Sequence, residues 1–163
     1  MYTKEQCLKS IETEVRIIKH LATKILAGKE GYRPSDGQRS TLELLQYLSA
    51  SGSSTMKVLL TENTKAGMDY ADFRSGVTTE NFAGKMDTQE SDIKEMFAKF
   101  TDEDLKKEFD YYGVRTKAEH IIDGIIKTFV AYRMQLFLYV KASGANVSTY
   151  DVWMGIDTPP KQV

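Results

Sequence analysis

The feature that most constrains this chain is one apolar stripe in its last long segment. Ala118, Ile122, Ile125, Phe129, Tyr132, Leu136 and Tyr139 recur at alternating steps of four and three residues. That spacing returns to one face of an α-helix at every turn, and a helix with such a face must bury it against partners. Three more segments repeat the pattern: Cys7, Ile11, Val15, Ile18, Ala22 and Ile25; then Leu44, Leu45, Leu48, Thr55, Val58 and Leu59; then Ile93, Met96, Phe97 and Phe100. Strand-like alternation is not evident. The expectation is an all-α fold, a four-helix bundle forming a single domain over the 163 residues.

Start and stop signals bracket these segments. Thr3-x-x-Gln6, Ser40-x-x-Glu43 and Thr116-x-x-Glu119 fit the capping box, in which two side chains satisfy orphan backbone donors reciprocally. The third helix is expected to begin at Asp87 or Thr88, with Glu90 in its first turn. Gly28 and Gly144 stand where left-handed C-terminal caps would close the first and last helices. The Ser51–Ser54 stretch weakens the second helix and predicts a bend there. A turn-rich link runs from Gly28 to Arg39, and a longer connection from Asn63 to Met86 joins helices two and three. Tyr70, Phe73 and Phe82 in that connection suggest packing over the bundle end, Thr101–Asp104 could cap one more helical turn, and Pro159-Pro160 ends regular structure.

Composition narrows the chemistry. Twenty-two basic and 23 acidic side chains give a net charge of −1, with no field to draw nucleic acid or anionic lipid. No apolar run approaches the ~18 residues that span a bilayer. The opening Met1–Gln6 stretch is polar, and the lone Cys7 fits a reducing compartment, so a cytoplasmic location is expected. Cys7 falls on the first helix's stripe and reads as a small core side chain. Only His20 and His120 exist, both placed off the stripes and expected at the surface, so three-histidine metal binding is arithmetically excluded. Glu12 and Glu14 are expected to be solvated, and Glu43 to serve its capping box. Phosphate-loop, dinucleotide and nucleophile-elbow motifs are absent.

One constellation stands out. Thr128, Tyr132 and Gln135 share a face of the last helix, and Tyr47 on the second helix could face them. They read either as a satisfied polar layer or as the lining of a small-ligand cleft. Arg133, among large apolar residues, needs a carboxylate or carbonyl partner if its head leaves water.

A family resemblance rests on these stretches. Tyr32-Arg-Pro-Ser-Asp-Gly-Gln-Arg-Ser40 with Leu42–Leu45, Thr101–Leu105, and Arg133–Tyr139 continuing to Gly144 resemble, in order, the link, acidic turn and closing signature of the DinB-like superfamily of four-helix bundles. The resemblance covers nearly the whole chain and implies that fold, a homodimer, and a cleft between helices two and four. The superfamily's usual site is three metal-binding histidines, which carried over by position fall on Tyr47, Thr128 and Tyr132, with Glu43, Arg133 and Gln135 behind them. Phenols and hydroxyls bind divalent ions poorly at neutral pH, because tyrosine must first lose a proton held with a reference pKa of ~10. The expectation is therefore a DinB-like protein without metal or other cofactor, whose cleft takes a small ligand or none. The alternative is a thiol-dependent S-transferase or metal-dependent hydrolase of the same superfamily. Damage-linked nucleic-acid binding and stress response rest on the superfamily's name alone.

Overall fold

The computed structural model describes residues 3–67 and 76–159. The expected contributions of Tyr70, Phe73 and Pro160 lie outside them. In chain order the elements are α1 (Lys4–Ala22), α2 (Thr41–Leu48), α3 (Ser51–Thr61), α4 (Phe82–Ala98), α5 (Asp102–Lys106), β1 (Glu108–Asp110), β2 (Val114–Thr116), α6 (Lys117–Ile121) and α7 (Lys127–Ala142). A π turn, Ile122–Ile126, joins α6 to α7 in one continuous helix, and a second π turn, Tyr150–Met154, follows it. The architecture is an all-α bundle: α1 lies against α4 and α7, α3 against α4, and α2 against α7. Ile18, Leu21, Leu44, Leu45, Leu48, Met56, Phe82, Phe97 and Phe129 fill the space between them.

The local signals act as their chemistry dictates. Thr3/Gln6, Ser40/Glu43 and Thr116/Glu119 all form complete capping boxes, and Thr101/Asp104 forms a fourth that starts α5. Gly144, at φ +100°, closes α7: its amide reaches Lys141 and the next one reaches Val140, the paired bonds of a Schellman cap. Gly28 is also left-handed but does not cap α1, which ends at Ala22 with Thr23 donating to His20 and Leu21 carbonyls.

Four expectations are corrected. The third helix starts at Phe82, because Thr78 and Asn81 exchange amide-to-side-chain bonds and nucleate the turn early. Phe82 is therefore a buried helical residue rather than a loop residue. Residues 108–116 form an antiparallel hairpin with Phe109 opposite Arg115, its strands too short for a period of two to show. His120 is buried, its Nε2 2.8 Å from the Phe109 carbonyl, because the extra residue of the π turn rotates α6 and brings Lys117, His120 and Ile121 inward in place of Ala118 and Ile122. Glu14 is buried too, accepting 3.0 Å from Arg133 Nη1, with Trp153 beneath the guanidinium at 5.2 Å. Burial pushes the Glu14 carboxyl up and Arg133 pulls it partly back. Arg133 has found the carboxylate partner it needs.

The bend in the second helix is a full break at Ser49–Ala50, and a buried glutamine from α4 mends it. Gln89 Oε1 accepts the Gly52 amide at 2.8 Å and the Ser53 amide at 3.3 Å, while its Nε2 donates to the Leu48 carbonyl at 2.7 Å. Gly52 is required there, since a Cβ would stand 2.9 Å from both Ile93 Cδ1 and Phe129 Cζ. Replacing Gln89 by methionine keeps the volume and strips three backbone groups of their partner, each worth about 1–3 kcal/mol when buried. Urea unfolding of Gln89→Met should show a loss of about 3 kcal/mol or more; a loss below about 0.5 kcal/mol would mean that water mends the break equally well.

Candidate functional site

The contact between α2 and α7 begins with how α2 is aimed. The link before it is fastened by Thr41, whose amide and hydroxyl both reach the Tyr32 carbonyl, at 2.8 and 3.2 Å. Tyr32 packs edge-on against Tyr139 of α7 at 5.7 Å, and Gln135 Nε2 donates to Tyr139 Oη at 2.5 Å. One turn further, Tyr47 and Tyr132 meet with ring centroids 4.8 Å apart and planes at 55°. Arg39, the residue before the Ser40 N-cap, lays its guanidinium 4.5 Å from the Tyr47 ring centre and 5.8 Å from that of Tyr132. Its Nη1 donates to Tyr132 Oη at 3.4 Å. Arg39, Tyr47 and Tyr132 are all half-buried.

The candidate residues divide. Tyr47 and Tyr132 come together. Thr128, one turn before Tyr132 and half-buried, spends its hydroxyl proton on the Asp123 carbonyl at 3.3 Å, a bond the preceding π turn offers. Gln135 serves Tyr139 rather than the Tyr47–Tyr132 pair. Glu43 takes the Ser40 amide at 2.7 Å and Arg33 at 3.3 Å. Arg133 points away from the crevice, toward α1 and Glu14. Arg39 is the charged side chain at the Tyr47–Tyr132 contact that spacing did not single out. Its signal was available: a long basic side chain beside the cap of the helix that carries Tyr47.

A second cluster joins α1 to the C-terminal segment. His20 Nε2 lies 2.9 Å from Asp151 Oδ1 and 3.8 Å from Asp157 Oδ1, correcting the surface placement expected for His20. The segment after α7 folds back over that face and half-buries the ring. His20, Asp151 and Asp157 could geometrically hold a metal ion. Lys24, however, already places its ammonium against Asp157 and 3.9 Å from Asp151, so the cluster's negative charge has a resident cation. Cys7 is buried and free, and burial pushes its thiol up, away from the reactive thiolate.

No known family profile matches this chain, and no curated protein resembles it in sequence. Solved structures do. A DinB-like protein from Bacillus subtilis, YjoA, superposes with a TM-score of 0.69 at 17% identity, over 87% of this chain and 94% of that one. The fold is DinB-like. If the metal position implied by the resemblance carried over to Tyr47, Thr128 and Tyr132, a zinc- or nickel-like ion would meet two phenols and a hydroxyl that already donates to the Asp123 carbonyl, a poor donor set for it. A divalent ion there would also be repelled by the Arg39 guanidinium, which lies on Tyr47 and donates to Tyr132.

Among these groups Asp151 makes the sharpest statement about pH. Burial would raise its carboxyl, but the Ser148 amide at 2.8 Å and His20 outweigh burial and hold it below the ordinary carboxylate value. A depressed carboxyl stabilises the fold above its unfolded value of ~3.9, and that contribution disappears as pH falls through the folded value. Asp151→Asn should therefore melt lower at pH 7, by about 1–3 kcal/mol, and lose less stability than the parent on acidification below about pH 4. Melting curves across pH 2–8 that run parallel for the two proteins would contradict this assignment.

Proposed function

We propose that this chain is a metal-free DinB-like protein whose crevice between α2 and α7, lined by Tyr47, Thr128 and Tyr132, binds a small ligand. The observation that supports the reading is the Arg39 guanidinium lying on Tyr47 and hydrogen-bonded to Tyr132. A fixed positive charge occupies the region where the fold's usual cation would otherwise be coordinated, so the crevice is suited to binding rather than to Lewis-acid chemistry. Like-charge repulsion weighs against the metal-dependent hydrolase. An S-transferase would have to draw its thiol from outside, because Cys7 is buried. No helix among the described residues is long and apolar enough to cross a membrane, and we place the protein in the cytoplasm. A homodimer goes with this reading, its test being molar mass by light scattering.

The crevice is tested by thermal shift against a panel of low-molecular-weight thiols, amino acids and small organic acids at millimolar concentration. At least one compound should raise the melting temperature of the parent, and Tyr132→Phe should lose most of that shift while melting within a few degrees of the parent alone. A panel that shifts nothing, or shifts both proteins alike, would remove the ligand-binding reading and leave a purely structural protein.

A further inference from the structure

Arg39 is a cation with no acid beside it among the described residues. Among the described residues no carboxylate pairs with it; its hydrogen bond is the 3.4 Å one to Tyr132 Oη, and its guanidinium lies over the faces of Tyr47 and Tyr132. A guanidinium carries five N–H donors in a rigid plane, so most of them are left to solvent or to a ligand. The neighbouring acid, Glu43, is held by the Ser40 amide and by Arg33. That leaves Arg33 and Glu43 close to neutral as a pair, and one net positive charge on Arg39. The first turn of α2, immediately after Arg39, adds the positive end of a helix dipole.

The two rings do more than hold the guanidinium in place. Stacking fixes the plane of the fork and so reduces the entropy lost when an anion docks on its edge. The rings also exclude water from one side, and an ion pair formed there is stronger than one in open solvent. A planar, bidentate acceptor of single charge matches such a fork, and the Tyr132 hydroxyl lies beside it as a further donor or acceptor.

We propose that the α2–α7 crevice binds a small organic carboxylate, with Arg39 as its charge partner and Tyr47 and Tyr132 as the walls that hold that charge in position. This rests on the crevice reading above and specifies the chemistry of its ligand. The departure from the usual histidines is then a change of sign: a site built elsewhere around a bound cation here carries a covalently attached one and accepts the anion directly.

Benzoate and its neutral isostere benzamide separate the alternatives by isothermal titration calorimetry at low ionic strength, using the full chain. Benzoate should bind saturably and at least tenfold more tightly than benzamide, and its affinity should fall with added salt. Arg39→Gln should erase the preference for benzoate, and Arg39→Lys should retain part of it. Thermal melts and circular dichroism establish that both variants fold. Equal affinities for the two probes in the parent, or an unchanged benzoate affinity in Arg39→Gln, would overturn the carboxylate assignment while the crevice reading stands on its own panel. Binding of neither probe would also overturn it, and a silent panel besides would remove the crevice reading as well.

Discussion

Three hydrogen bonds from one amide side chain govern how this bundle is arranged. Gln89 reaches from α4 into the break after Leu48 and satisfies one carbonyl and two amides that an interrupted helix leaves orphaned. Because the broken ends are held by a buried partner, α2 has a fixed direction independent of α3. That direction lets α2 lean on α7 while α3 packs on α4. The close approach demanded at Gly52, against Ile93 and Phe129, locks the same joint from the apolar side. The Tyr47–Tyr132 contact, and the guanidinium laid on it, exist only because α2 is aimed this way.

The electrostatic layout follows a single rule. The buried charges between α1 and the C-terminal half are paired across long sequence separations: Arg133 with Glu14, and Asp151 with His20 and Lys24. Each pair fastens α1 to the C-terminal half. Glu14 Oε2 and Arg133 Nε have no hydrogen-bond partner, which marks that pair as a costly junction whose loss of either member would strand a buried charge. Arg39 departs from the rule by stacking on aromatic rings without a carboxylate. A cation–π arrangement of this kind contributes about 0.5–2 kcal/mol, enough to position a charge but not to neutralise it.

What could be read in the sequence was what is decided locally. The capping pairs Thr3/Gln6, Ser40/Glu43 and Thr116/Glu119 act across three residues and are visible as letters, and the apolar stripes follow from a fixed helical period. The resemblance in the Tyr32–Ser40 link and the Arg133–Gly144 close agrees with the fold shared with a solved DinB-like protein. Three kinds of feature were hidden. The π turn at Ile122–Ile126 adds one residue to a helical turn, so a strict period misassigned His120 and Ile122. Partners 119 and 131 residues apart, Glu14 with Arg133 and His20 with Asp151, leave no mark on spacing at all. Arg39 was hidden differently: its role depends on the angle between α2 and α7, which Gln89 sets from a third helix.

Metal content tests most directly whether the Arg39 guanidinium lying on Tyr47 and Tyr132 excludes a divalent ion from between α2 and α7. Protein purified without chelator and then dialysed against zinc and nickel should, by elemental mass spectrometry, retain far less than one ion per chain. Whatever is retained should be unchanged in Tyr132→Phe. An ion held at one per chain in the parent and lost in Tyr132→Phe would mean that the phenols coordinate metal despite Arg39, and the crevice would have to be read as a metal centre.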